Sequence, residues 1–186
     1  YARQYIDNSD AKAVKDVLMS DYITQGSKVL EFEKKMADYC GAKYADAVNS
    51  GTTALHAACF VSGIKPGDEV ITSPISFAAT ANCILYCAGR PEFVDILEDT
   101  ITIDPGLVKK RVTKKTKAII PVDFAGHPAE MEEIKAIALK HGLTIIEDAA
   151  HALGAEYRGG RIGSCRYSDM TILSFHPVKH ITTGEG

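Results

Sequence analysis

Apolar positions recur at helical spacing in the first forty residues, and short apolar runs alternate with helical stretches after that. Residues 8–20 predict a helix: Asn8 or Ser9 can cap it, and Val14, Val17 and Leu18 form an apolar stripe. Asp21-Tyr22-Ile23-Thr24-Gln25-Gly26 breaks it. A second helix over about 27–40 carries Val29, Phe32, Met36 and Cys40, and closes at Gly41. Strands are then expected at Ala42–Val48, Glu69–Thr72, Glu92–Ile96, Lys117–Val122, Leu143–Glu147 and Asp169–Phe175. Helices are expected at Thr52–Ser62, Phe77–Cys87, from Pro105 (capped by Asp104) to about Val112, and at Glu130–His141 ahead of Gly142. Lys65-Pro66-Gly67-Asp68 reads as a turn, and Tyr157-Arg158-Gly159-Gly160-Arg161 as a hairpin turning on Gly-Gly.

Strands apolar throughout, alternating with helices, imply an α/β fold: a mostly parallel sheet with helices on both faces. Ligands of such sheets sit beyond the carboxyl ends of the strands.

Composition narrows the class of protein. The chain has 186 residues, 46% hydrophobic and 24% charged, enough for one ordinary core. A net charge of -3 carries no electrostatic footprint for nucleic acid. No apolar run approaches the roughly 20 residues of a membrane span, and no signal peptide is visible, so no membrane partner is expected. The five cysteines include no C-x-x-C pair. Cys83 and Cys87 lie one helical turn apart, a spacing open to metal, but no His or acid lies nearby in that apolar helix; buried thiols in a reducing cytoplasm are the reading, and no metal is expected. A start at Tyr1 and a stop at Gly186 inside a Gly-rich turn read as the N-terminal part of a longer protein.

Four stretches at strand exits carry candidate chemistry. Asn49-Ser50-Gly51-Thr52-Thr53 opens a helix, where Gly51 permits close backbone approach and free amides favour an anion; it is a phosphate cradle or a plain N-cap. Neither a Walker A loop nor a G-x-G-x-x-G is present. Phe77, between a strand and a helix, either stacks on a planar cofactor or belongs to the core. Asp148 ends an apolar strand, where a carboxylate needs a cation or solvent, and His151 lies three residues on; zinc would lack a third local ligand. Ser174 can add a hydroxyl to a phosphate site, and Lys179 is a surface residue or a desolvated amine reactive toward aldehydes. A cradle, an aromatic, an Asp for a ring nitrogen and a Lys for an aldehyde, in that order, are the parts of a pyridoxal 5'-phosphate (PLP) site.

The sequence resembles the DegT/StrS sugar aminotransferases, of the aspartate aminotransferase fold (fold type I). The resemblance runs over nearly the whole chain. It rests on Tyr22–Gly26, Asn49–Leu55, Glu147–His151, Ser174–Lys179 and Thr182–Gly186. Within the family, Pro74–Asn82 and Val122–Gly126 are most similar to the aminotransferases of the pseudaminic acid pathway. The resemblance implies that Lys179 takes the cofactor aldehyde, Asp148 pairs with the pyridine nitrogen and Phe77 stacks on the ring. Gly51, Thr52 and Ser174 would hold the phosphate. His151 would stand near the phenolic oxygen, where many members have Gln. Tyr1 and the turn Asp21, Tyr22, Ile23 and Thr24 would line the nucleotide-sugar side.

The resemblance also implies a cytoplasmic homodimer with shared active sites. Residues 1–26 would form an N-terminal segment and substrate-side turn, and 27–186 a PLP-binding large domain incomplete at its C-terminus. Glutamate would donate an amino group to C4 of a nucleotide-linked 4-keto-6-deoxy sugar, of the UDP-4-amino-4,6-dideoxy-N-acetyl-altrosamine type. Lys179 would move the proton between the donor's alpha carbon and C4' of the cofactor. A PLP-dependent sugar deoxygenase, in which His replaces the Lys, and a binding or regulatory protein without turnover are the rival readings.

Overall fold

The computed structural model describes residues 3–185. Two helices come first, α1 (Asn8–Leu18) and α2 (Ser27–Cys40). Then follow α3 (Gly51–Val61), β1 (Glu69–Thr72), α4 (Ala78–Tyr86), β2 (Arg90–Phe93) and α5 (Pro105–Arg111). The remainder is β3 (Thr116–Ile120), α6 (Met131–His141), β4 (Thr144–Asp148), a hairpin of β5 (Glu156–Tyr157) and β6 (Gly160–Arg161), and β7 (Met170–Ile172).

The sheet has the order β2-β1-β3-β4-β7, and every neighbouring pair is parallel. Successive side chains of a strand point to opposite faces, so adjacent residues feed different cores. Val70, Ile120 and Ile146 pack with Leu55, Cys59, Cys83 and Ile84 from α3 and α4. Their neighbours Ile71, Ile119 and Ile145 pack on the other face with Val108, Met131 and Ile134 from α5 and α6. Each fully buried Ile contributes about 1.5–3 kcal/mol, which is why these strands are apolar throughout.

Local signals explain the helix boundaries. Asp104 accepts from the amides of Gly106 (2.7 Å) and Leu107 (3.3 Å), and Pro105 opens α5 without needing an N–H partner. Gly41 (φ 76°) and Gly142 (φ 66°) take the left-handed conformation that closes α2 and α6.

Several expectations need correction. Asp7 caps α1, not Asn8 or Ser9: its carboxylate accepts from Ser9 N at 2.7 Å, and Asp10 returns a bond to Asp7 N at 2.9 Å. The helix ends at Leu18, two residues early, and none of its residues is buried; Val14 and Leu18 lie 61% and 64% exposed. Ala42–Val48 is no strand, because among the described residues no strand lies beside it to take its backbone groups. It is held instead by α2, with Ala47 N donating to Glu33 at 2.9 Å. The strand expected at Glu92–Ile96 is Arg90–Phe93, in register with β1, while Ile96 turns back to pair with Ile103. The hairpin turns on Arg158-Gly159, not Gly-Gly: Tyr157 pairs with Gly160, and both turn residues have positive φ (48° and 74°). That is the backbone a two-residue turn demands on twisted strands.

Candidate active site

The sheet brings four distant stretches to one edge. Asp148 is the last residue of β4, in register with Ile172 at the end of β7, and Ala149 N donates to Ile172 O at 2.9 Å. Ser174 lies two residues beyond Ile172. The start of α3 comes down on it: a Cβ built on Gly51 would lie 3.4 Å from Ser174 Cβ and 3.5 Å from Ser174 Oγ. Across the same edge, α4 begins beyond β1 and places Thr80 against Asp148.

The first turn of α3 leaves two amides open. Ser50 caps the helix, its Oγ accepting from Thr53 N at 3.2 Å and its carbonyl from Ala54 N at 3.0 Å. The amides of Gly51 and Thr52 find no acceptor among the described residues, as is general for first-turn amides, and such amides favour an anion. Ser174 Oγ accepts from His176 N at 3.5 Å and keeps its own proton for donation.

Asp148 is 5% exposed and held from both sides. Thr80 Oγ1 donates to Oδ2 at 2.6 Å, and Ala150 N donates to Oδ1 at 3.3 Å. Thr80 has one proton and spends it on Asp148. In the short contact between Ser76 and Thr80, the Ser76 hydroxyl is therefore the donor. Burial pushes the Asp148 carboxyl above its ordinary value; the Thr80 hydroxyl, the Ala150 amide and the charges of His151 and Lys179 oppose it. Burial also lowers Lys179, against the attraction of Asp148. His151 is lowered by burial first and by the Lys179 charge second, with Asp148 opposing.

His151 is half-buried, its ring centroid 6.3 Å from that of Phe124. The turn Phe124–Gly126 packs closely on it: a Cβ on Gly126, at φ 87°, would meet His151 O at 2.9 Å. Lys179 is half-buried, with its amide bonded to His176 O at 2.8 Å. Its segment is tied to α2 by Phe175, which meets the Phe32 ring edge-on at 5.0 Å. Phe77 is the N-cap residue of α4 and is 73% exposed, so it does not belong to the core.

Gly51, Thr52, Asp148, His151, Ser174 and Lys179 thus gather at the carboxyl edge, with Phe77 exposed at the same edge. Asp21, Tyr22, Ile23 and Thr24 are exposed, and among the described residues no hydrogen bond ties them to Asp148 or Lys179. Tyr1 lies outside the described residues. The sequence reading gave Thr80 and Ser76 no role, although both lie in the Pro74–Asn82 stretch and Thr80 stands in the first turn of a helix at a strand exit. It also missed Asp123, a fully buried acid just after β3.

The residues fit PLP. First-turn amides unpartnered among the described residues and the Ser174 hydroxyl suit its phosphate, and a buried carboxylate that forms no ion pair among the described residues suits its ring nitrogen. Among the described residues no group of three or more His, Cys, Asp or Glu side chains could hold a metal, and no helix is long and apolar enough to cross a membrane.

The chain is 45% identical over 189 residues to the UDP-4-amino-4,6-dideoxy-N-acetyl-beta-L-altrosamine transaminase of Campylobacter jejuni, covering all of this chain and 49% of that protein. It superposes on the PLP form of Spr1654 from Streptococcus pneumoniae with a TM-score of 0.96 at 33% identity, covering all of this chain and 51% of that one. Helicobacter pylori PseC, an aminotransferase of pseudaminic acid biosynthesis, matches with a TM-score of 0.92 at 37% identity over all of this chain and 50% of its own. The chain spans about half the length of the curated relatives it matches. The model of the DegT/DnrJ/EryC1/StrS aminotransferases matches residues 4–186, and with the fold and the PLP-fitting edge already described, the chain belongs to that PLP-dependent family.

Proposed function

We propose that this chain is the cofactor-binding part of an aminotransferase that moves the amino group of glutamate to C4 of a nucleotide-linked 4-keto-6-deoxy sugar. The observation that carries the reading is the gathering of Asp148, Lys179 and the Gly51–Ser174 cradle at one sheet edge. The relatives named for an altrosamine transaminase and for pseudaminic acid biosynthesis support a UDP-linked N-acetyl sugar as the acceptor.

PLP supplies an aldehyde that condenses with amines and a protonated ring that draws electrons from a carbon losing its proton. The chain's own residues do the rest. The Gly51 and Thr52 amides and the Ser174 hydroxyl bind the phosphate and fix the ring's position. Asp148, aimed by Thr80, keeps the ring nitrogen protonated. Phe77 would cover one face of the ring, and His151 would donate toward the phenolic oxygen. Lys179 carries the cofactor at rest. Its amine would move a proton between the alpha carbon of the donor and C4' of the cofactor, and between C4' and C4 of the sugar in the opposite direction. The lowered basicity of Lys179 suits that exchange. In the complete protein, Asp21–Thr24 face the nucleotide sugar, and a second copy completes the site in a cytoplasmic homodimer.

The test is an assay of the full-length protein with glutamate and a panel of UDP- and GDP-linked 4-keto sugars. The expected result is 2-oxoglutarate, and a 4-amino sugar from the UDP-linked N-acetyl substrate. Failure of glutamate to convert the cofactor to its aminated form would overturn the aminotransferase reading. Preference for another sugar would overturn only the choice of acceptor.

A further inference from the structure

Behind the Asp148 edge lies a pair of buried acids that the proposed chemistry does not use. Asp123 follows β3 and is 0% exposed; Glu147 precedes Asp148 in β4 and is 4% exposed. Both carboxyls lie on the α6 side of the sheet, Asp123 against Ala129 N and Glu147 in the lining of a cavity it shares with Met131, and each acts on the titration of the other. Strand alternation sends Glu147 to the face opposite Asp148. There Glu147 Oε2 accepts from Thr171 Oγ1 at 2.7 Å and Ser168 Oγ at 2.9 Å. Asp123 Oδ1 accepts from Ala129 N at 3.0 Å, but buried Oδ2 has no donor among the described residues.

A bare carboxylate oxygen sealed from water without a donor is costly, and two adjacent buried carboxylates cannot both ionise cheaply. A single proton removes both difficulties. It belongs on Asp123, because Glu147 already has two hydroxyl donors and Asp123 has one amide. Asp123 Oδ2 is then a donor, and Glu147 is its acceptor.

We propose that Asp123 is a carboxylic acid in the folded protein, donates its proton to Glu147, and through that bond acts as a positioning residue for Asp148. The route to Asp148 is the backbone. Asp123 N donates to Asp148 O at 3.0 Å, Asp148 N donates to Pro121 O at 2.9 Å, and Val122 pairs with Asp148. Asp123 and Glu147 therefore clamp the exits of β3 and β4 together from the back, while Thr80 aims the Asp148 carboxylate at the front.

The surroundings agree. The charges acting on Asp123 are the carboxylates Glu147 and Asp148, and with burial they push it well above its ordinary value. Glu147 is also raised by burial, with Thr171, Ser168 and Asp123 opposing. The cavity behind Glu147 is lined by Tyr157, Arg161 and Arg166, but these guanidiniums are bonded elsewhere, Arg161 to Tyr39 O and Arg166 to Arg158 O.

The positioning role rests on Asp148 serving the ring nitrogen; the protonation of Asp123 does not, and the test separates the two. Infrared difference spectra of the full-length holoenzyme against Asp123→Asn at neutral pH should show a carboxylic-acid carbonyl stretch lost in the variant. Absence of that band overturns the proposal and leaves the aminotransferase reading standing.

Stability against pH gives a second readout. A carboxyl raised in the folded state stabilises below its ordinary value and loses that contribution as pH rises through the folded value. The Tm of Asp123→Asn should therefore gain on the wild type as pH rises above the ordinary carboxylate range. A difference flat in pH would overturn the shared proton.

The Asn side chain can still donate to Glu147 and accept from Ala129 N. Asp123→Asn should thus keep the glutamate half-reaction within a few-fold, and Asp123→Ala should slow it on the order of tenfold. Equal rates in all three, with the infrared band present, would overturn the positioning role alone.

Discussion

Thr80 Oγ1 donates to Asp148 Oδ2 at 2.6 Å across 68 residues of sequence. The hydroxyl comes from the first turn of α4 and the carboxylate from the last residue of β4. The bond aims Asp148 and opposes the rise that burial imposes on it.

Replacing Thr80 by Val keeps the shape and removes the donor. Hydrogen bonds to charged groups are worth about 1.5–3 kcal/mol, so kcat should fall roughly ten- to a hundredfold. Asp148 must be ionised to work, and without Thr80 its value rises further. The acid limb of the pH–rate profile should therefore move to higher pH. Thr80→Ser should restore both. An unmoved acid limb in Thr80→Val would disprove the link.

Asp148→Asn should nearly abolish turnover while the protein stays folded. Its amide cannot hold the proton on the ring nitrogen, and a loss on the order of 10²-fold or more is expected. Stopped-flow absorbance with glutamate measures it, with circular dichroism to check the fold. Near-normal half-reaction kinetics would contradict the assignment.

Lys179 should be the residue that carries the cofactor in the complete protein. It follows the apolar strand β7 and feels the Asp148 charge. Borohydride treatment of the holoenzyme and peptide mapping should find the pyridoxyl group on Lys179. A label on another lysine would refute the assignment.

Gly51→Ala tests the cradle. The added Cβ would stand in ordinary contact with Ser174, 3.4 Å from its Cβ, and the φ of Gly51 is not positive, so the backbone is not strained. The methyl would occupy space where the phosphate is expected. The apo protein should keep its unfolding free energy within about 0.5 kcal/mol, while the dissociation constant for PLP rises on the order of tenfold. Unchanged PLP affinity would count against this cradle.

Much of the fold was legible because its causes are local. Glu69–Thr72, Asp104-Pro105 and the glycines at 41 and 142 act through residues a few positions away, and they lie where periodicity and capping put them. The order of the chemical parts, Gly51, Phe77, Asp148, Lys179, was also written in the chain, because a parallel sheet delivers every strand exit to one edge.

Pairing was not legible. A cap belongs to whichever carboxylate reaches the amides first, and Asp7 does. The hairpin slipped by one residue because the ladder, not the Gly-Gly pair, set its register. Ala42–Val48 has strand composition, but a strand exists only where another lies beside it. Thr80 against Asp148, and Asp123 against Glu147, join residues from different elements whose spacing in sequence carries no distance information. Sequence determined which groups stand at the ends of the strands. Tertiary packing decided which of them were sealed from water, and so which had to find a proton or a partner.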